Sequence, residues 1–155
     1  VDYDATGGAS IMVDGFRIAA ELKRTAPEIY EDLTRIGVTG AYMGDGVVLR
    51  AQRPIFRTDR DGALVQVSFN NYDRDTVTLP KDEMRSLYAG IRAFDRLAND
   101  SRFQWRYTLR PGDMLAFDNW RVLHGRGPFQ GRRKMAGSYI NREDYESAVR
   151  VNGLT

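Results

Sequence analysis

Hydrophobic spacing divides the chain into a two-helix opening, a run of short strands, one long helix and a strand-rich last third. Ile11-Met12-Val13 is a short apolar run that predicts a strand, and the stretch before it, Asp4-Ala5-Thr6-Gly7-Gly8-Ala9-Ser10, predicts a turn. Beyond Asp14-Gly15, residues Phe16, Ala19, Ala20 and Leu22 recur near helical spacing, so a helix is expected from about Phe16 to Arg24. Thr25-Ala26-Pro27-Glu28 reads as a second helix start, with a threonine cap, a glutamate three residues on and proline in the first turn. That helix should run to about Arg35 and stop at Gly37.

Short strands are expected at Gly46 to Arg50 and Pro54 to Arg57, and a stronger one at Ala63 to Phe69, where Leu64, Val65 and Val67 are β-formers. Asn70-Asn71-Tyr72-Asp73-Arg74 interrupts with polar turn chemistry. Pro80-Lys81-Asp82-Glu83 then opens the longest helix, with Met84, Leu87, Tyr88, Ile91, Phe94 and Leu97 on one stripe, ending near Asn99-Asp100.

Farther on, Phe103, Trp105, Tyr107 and Leu109 alternate with Gln104, Arg106 and Thr108, the period of a half-buried strand, which makes those aromatics expected core. Arg110-Pro111-Gly112-Asp113 is a turn, and Met114 to Phe117 the return strand. Trp120 to His124 and Lys134 to Ile140 read as two further strands joined by a Gly125–Gly131 loop, and a helix from about Arg142 to Val149 closes the chain. Short strands with long helical insertions predict a mainly β fold, a sandwich or jelly roll carrying added helices. A doubly wound α/β fold would need strands alternating regularly with helices, which this pattern lacks.

Length and composition narrow the classes. No repeat, low-complexity tract or linker breaks the 155 residues, so one domain or one large piece of a domain is expected. The chain opens on Val1 rather than methionine, and the expectation is that an N-terminal portion is missing. No apolar run approaches a membrane helix, and no signal-peptide core is visible. With no cysteine, disulfides, thiol catalysis and cysteine-ligated metals are excluded. The net charge is +2, and 20 of the 23 basic residues are arginine, spread from Arg17 to Arg150 among acidic residues. That distribution does not make a basic arm for nucleic acid, but arginine over lysine favours fixed, bidentate carboxylate or phosphate contacts.

Phosphate loops, dinucleotide fingerprints and nucleophile elbows are absent, and the Gly125-x-Gly127 pair has the wrong spacing for a phosphate role. The single histidine, His124, ends the apolar run Val122-Leu123 just before a glycine. By itself such a histidine is more often a hydrogen-bonded core or rim residue than a metal ligand. A strand-end imidazole facing a barrel mouth suits iron in jelly-roll enzymes, and an arginine from Arg132-Arg133 nearby suits the far carboxylate of a dicarboxylate cosubstrate. A surface arginine pair would account for one of the two equally well.

Specific residues then add a resemblance. Phe117-Asp118-Asn119-Trp120-Arg121-Val122-Leu123-His124-Gly125-Arg126, followed by Arg133-Lys134-Met135-Ala136-Gly137-Ser138-Tyr139, resembles the C-terminal signature of the γ-butyrobetaine/trimethyllysine dioxygenases. These belong to the taurine-dioxygenase-like oxygenases that use Fe(II) and 2-oxoglutarate. Gly7-Gly8-Ala9-Ser10 with Val13-Asp14-Gly15-Phe16, and Phe69-Asn70-Asn71-Tyr72-Asp73-Arg74, agree in order along the chain. The trimethyllysine branch is the nearer, on Asn70-Asn71-Tyr72-Asp73-Arg74.

The resemblance implies a double-stranded β-helix (jelly roll), incomplete in this chain, with residues 1–155 the C-terminal part of one dioxygenase catalytic domain. It makes His124 the distal iron ligand and Arg133, in register with R-x-x-x-G-x-Y, the binder of the 2-oxoglutarate C5 carboxylate, ahead of the out-of-register Arg132. Tyr139 corresponds to an aromatic of the trimethylammonium cage, for which ring faces are the natural partners of a cation with no hydrogen to donate, and Asn70 to a substrate-side asparagine. The other two iron ligands are expected on an H-x-D motif upstream of Gly7-Gly8. Asp113 and Asp118 are expected to hold turns and strand ends rather than replace them, and Arg121 and Arg126 to pair with Asp118 or the cosubstrate, a structural salt bridge ahead of the cosubstrate.

The activity so implied is hydroxylation of trimethyllysine, with γ-butyrobetaine as the alternative within the family. A non-catalytic jelly-roll or nucleic-acid-binding module without the metal site is the alternative of another class. The implied partner is a small molecule bearing a quaternary ammonium, with no nucleic acid and no membrane. A homodimer is implied at full length, and an intracellular setting, cytoplasmic in a bacterium or mitochondrial in a eukaryote.

Overall fold

A computed structural model describes residues 2–154, leaving aside the side chains of Asp2 and Tyr3. The described elements are strands β1 (Asp2–Gly7) and β2 (Ser10–Asp14), helices α1 (Gly15–Thr25) and α2 (Pro27–Arg35), strands β3 (Gly37–Gly44), β4 (Val47–Pro54), β5 (Phe56–Thr58) and β6 (Leu64–Val67), helix α3 (Lys81–Ala98), strands β7 (Gln104–Tyr107), β8 (Val122–Arg126) and β9 (Phe129–Lys134), and helix α4 (Arg142–Val151).

The ends of the chain pair in nested order. β1 runs antiparallel to β9 and β2 antiparallel to β8, with β7 on the other side of β2. Two separate ladders, β3–β4 and β5–β6, complete the strand content, and the described strands do not close into a barrel. The result is a mainly β chain with inserted helices, as the alternation predicts.

Helices α1, α2 and α3 each contribute one apolar stripe to a common core, whereas α4 buries none of its residues. Asp14 caps α1 by accepting from the backbone N–H groups of Phe16 (3.0 Å) and Arg17 (3.4 Å), and α1 buries Ile18, Ala19 and Leu22. α2 begins on Pro27 and buries Tyr30 and Leu33, while α3 buries Leu87, Ile91, Ala93 and Phe94. Gly90 of α3 lets α2 come close, because a β-carbon there would stand 2.7 Å from Leu33 Cδ2. Phe56 of β5 fills the centre, its ring 5.4 Å from Tyr30 and 5.7 Å from Phe94. Val13 and Leu123 pack against this cluster from β2 and β8, so one face of the β7–β2–β8 sheet is sealed by helices.

Several expectations are corrected. The opening turn is confined to the residues around Gly7-Gly8, because Asp2–Gly7 pairs with a strand about 125 residues later in sequence. The expected Lys134–Ile140 strand ends where it should start: the ladder is Phe129–Lys134, inside the segment whose glycines suggested a loop. Thr25 does not cap α2; its hydroxyl donates to the Glu21 carbonyl of α1, and Ala26 takes the cap position without a side-chain bond. The segment from Met114 to Phe117 forms no strand, and Met114 is exposed. Trp105 and Tyr107 are not core: they are 50% and 38% exposed and stack on each other at 5.5 Å, because β7 is an edge strand whose aromatic side faces away from the helices.

Candidate active site

Register decides which side chains share a face. Met12 of β2 lies opposite Trp105 of β7 and His124 of β8, while Val13 lies opposite Gln104 and Leu123. Since Val13 and Leu123 pack on the helical core, His124, Met12 and Trp105 are on the opposite face, where Met12 is buried and the other two are exposed. His124 is exposed there, with the Phe117 ring 4.9 Å away and tilted by 49°. An open groove of about 520 Å³ runs along Met12, Phe103, Trp105, Leu115 and Phe117; it adjoins the histidine's neighbour, but His124 itself is not in its wall.

The strand carrying His124 is anchored at its start. Asp14, besides capping α1, accepts from Arg121 Nε (3.1 Å) and Nη2 (2.7 Å), and Gly15 N donates to the Arg121 carbonyl at 2.9 Å. The Arg121 guanidinium beside Asp14 is the main reason its carboxyl sits below the usual carboxylate value; burial opposes this and the Phe16 amide adds to it. Arg121 therefore makes the expected structural pair, but with Asp14 and not with Asp118. Asp118 accepts instead from Trp120 N at 2.8 Å, and Arg126 lies over the Phe129 ring at 4.9 Å.

Arg133 sits on β9 opposite Tyr3 and is partly buried, whereas Arg132, opposite Asp4, is exposed. Arg133 Nη1 donates to the Gly8 carbonyl, in the turn between β1 and β2. The candidate arginine is thus held by the turn that begins the strand pairing with His124.

The two substrate-side candidates are placed differently. Asn70 is exposed and ties its own loop, donating from Nδ2 to Asp73 Oδ2 at 2.6 Å and accepting from Tyr72 N at 2.9 Å. That loop is joined to β3, with Ala41 N donating to the Asp73 carbonyl at 2.8 Å. Tyr139, beyond β9, is 86% exposed.

The donors can be compared with what the resemblance implies. Asp113 accepts from Arg110 N at 2.8 Å and from the Tyr107 hydroxyl at 2.9 Å, and so holds a turn, as expected. Among the described residues no group of three or more His, Asp or Glu side chains could hold a metal ion, so His124 would be one ligand of a set whose others lie elsewhere. A carboxylate fits Arg133 better: a planar guanidinium, partly buried and fixed by a backbone carbonyl, is suited to bidentate recognition. Sequence reasoning missed Gly8, Phe117 and Asp14 as supports of the site. The Asp14 signal was present, an aspartate just before a helical pattern.

The chain belongs to the taurine catabolism dioxygenase TauD/TfdA family, whose model matches residues 1–139. Among curated proteins it is similar to trimethyllysine dioxygenase of Meyerozyma guilliermondii, 38% identical over 154 residues, covering 96% of this chain and 39% of that one. It is also similar to human gamma-butyrobetaine dioxygenase, 32% identical over 163 residues (97% of this chain, 41% of that one). Mitochondrial trimethyllysine dioxygenase of Bos taurus is 33% identical over 164 residues (98% and 38%). The chain spans about two fifths of the length of these relatives.

Proposed function

We propose that this chain is the C-terminal part of the catalytic domain of an Fe(II)- and 2-oxoglutarate-dependent dioxygenase with a jelly-roll fold, and that the enzyme hydroxylates a trimethylammonium amino acid, trimethyllysine first. The observation that carries this reading is the pair of successive strands β8 and β9. They bear the chain's one histidine and a partly buried arginine, inside a segment matched by the dioxygenase family. The nested β1–β9 and β2–β8 pairing supports the jelly roll. Preference for trimethyllysine over γ-butyrobetaine is supported by the 38% identity to a trimethyllysine dioxygenase.

The bound iron and cosubstrate would supply the activation of oxygen, with 2-oxoglutarate leaving as succinate and carbon dioxide. This chain's residues supply position. His124 offers an imidazole nitrogen as one donor from a strand end, steadied by Phe117. Arg133 holds the far carboxylate of the cosubstrate by charge-assisted hydrogen bonds. Tyr139 offers a ring face to the trimethylammonium.

The test is turnover by the full-length protein given Fe(II), 2-oxoglutarate, oxygen and either substrate. Succinate formation coupled to addition of one oxygen atom to trimethyllysine, faster than to γ-butyrobetaine, is the expected result. Faster reaction with γ-butyrobetaine would move the assignment to that branch, and no coupled product from either would overturn it.

A further inference from the structure

We propose that Gly8 is a positioning residue for the cosubstrate arginine: its missing side chain and its carbonyl together set the orientation of the Arg133 guanidinium. The proposal rests on Arg133 being the 2-oxoglutarate carboxylate binder. The backbone at Gly8 is left-handed, with φ of +72°, and is pinned on both sides by Gly8 N to the Pro128 carbonyl (2.8 Å) and Gly127 N to the Ala9 carbonyl (2.9 Å). Its own carbonyl accepts from Arg133 Nη1. A β-carbon built on Gly8 would lie 2.6 Å from Nη1 and 3.1 Å from Phe129 Cβ, but 3.6 Å from Arg133 Cζ.

Those distances identify what must give. The turn is fixed by its backbone bonds and Phe129 closes the second side, so any side chain at position 8 pushes the outer nitrogen of the guanidinium and tilts its plane. A bidentate contact depends on that plane, whereas a point charge does not. Position 8 therefore acts on cosubstrate recognition through Arg133 without touching the cosubstrate.

Two effects of a substitution must be separated, left-handed strain and the push on Arg133. Asparagine tolerates left-handed backbone better than other non-glycine residues, so Gly8→Asn keeps the push while reducing the strain. The test uses the full-length, metal-loaded protein without oxygen, and reads the 2-oxoglutarate dissociation constant by calorimetry alongside the thermal midpoint. Gly8→Asn should weaken 2-oxoglutarate binding by about tenfold, the worth of one charged hydrogen bond, and leave the dissociation constant of the trimethylated substrate, read the same way, within about twofold. Arg133→Lys lowers affinity by itself, but a lysine head ends near the position of Cζ and clears the new β-carbon. In that background Gly8→Asn should change affinity by less than about twofold, the mark of coupling between two residues in contact.

Equal losses from Gly8→Asn in the arginine and lysine backgrounds would overturn the proposal, as would unchanged 2-oxoglutarate affinity in Gly8→Asn. If Gly8→Asn does not fold, recovery of folded protein in Gly8→Asn/Arg133→Lys supports the push on the guanidinium, and no recovery overturns it. A wild-type protein that binds no 2-oxoglutarate, or binds it equally well as Arg133→Ala, removes the functional reading and this inference with it.

Discussion

Arg132 and Arg133 are neighbours in sequence and opposites in a strand, since successive side chains of β9 leave on alternate faces. The resemblance favours Arg133 by register; Arg133 is partly buried and bonded to Gly8, while Arg132 is exposed. Arg133→Ala should cost roughly 2–5 kcal/mol of a desolvated charge-assisted contact and lower 2-oxoglutarate affinity at least tenfold, with Arg132→Ala doing much less. Equal effects, measured as KM for 2-oxoglutarate in the full-length protein, would show that the register is misassigned. Tyr139→Leu removes a ring face but keeps bulk, so about 1–2 kcal/mol of attraction for the trimethylammonium should vanish while 2-oxoglutarate affinity holds. The neutral isostere of the substrate is the control: if its disadvantage against the charged form is unaltered in Tyr139→Leu, the cage role is wrong. His124 stood out as a candidate because the chain has only one histidine. Gly8 did not, because its partner Arg133 is 125 residues away and only pairing of β1 with β9 brings them together.

Among the elements, α1, α2 and α3 were readable because their apolar spacing is local and their starts carry Asp14, Pro27 and the acidic residues after Pro80. β1 and β9 were not, since Asp2–Gly7 and Phe129–Lys134 have little apolar alternation and exist through each other. The β3–β4 hairpin did carry a signal that went unused. Asp45-Gly46 at its tip has φ of 48° and 77°, the left-handed pair that a two-residue hairpin loop requires. Where helix and sheet meet, Asp14 joins α1 to β8 through Arg121, and this joint should respond to pH. Its carboxyl is held below the ordinary value of 3.8 in the fold, chiefly by Arg121, so the unfolded chain takes up the proton more readily. The stabilisation is therefore fully present above that value and is lost as pH falls through the lower, folded one. Asp14→Asn keeps a capping oxygen but loses the charge, and should cost about 0.5–1 kcal/mol at pH 7 for so exposed a pair. Chemical denaturation at a series of pH values should show the gap between wild type and Asp14→Asn closing below about pH 4. A gap independent of pH would assign the cost to lost cap geometry instead.

For the whole molecule, the division of labour lies between its two faces. The helical side of the β7–β2–β8 sheet is sealed by a core centred on Phe56, Phe94, Ile18, Leu33 and Leu87, and the other side presents His124, Trp105 and Tyr107 outward. An exposed imidazole, with no second or third metal donor grouped with it among the described residues, is a weak iron ligand, because selectivity for iron comes from the assembled geometry. The mainly β character with inserted helices was legible from short alternating strands, but alternation could not tell that the aromatics of β7 would face outward, since periodicity separates two faces without saying which is covered. The 155 residues purified alone should therefore bind Fe(II) no better than their His124→Ala variant, and should form no succinate from 2-oxoglutarate. A longer polypeptide that includes this chain and supplies an H-x-D pair should show both, and should lose both on His124→Ala. The measurements are metal titration by calorimetry and succinate release with and without iron. Iron-dependent succinate formation by the 155 residues, abolished by His124→Ala, would mean that carboxylates within them, or a second copy of the chain, complete the site.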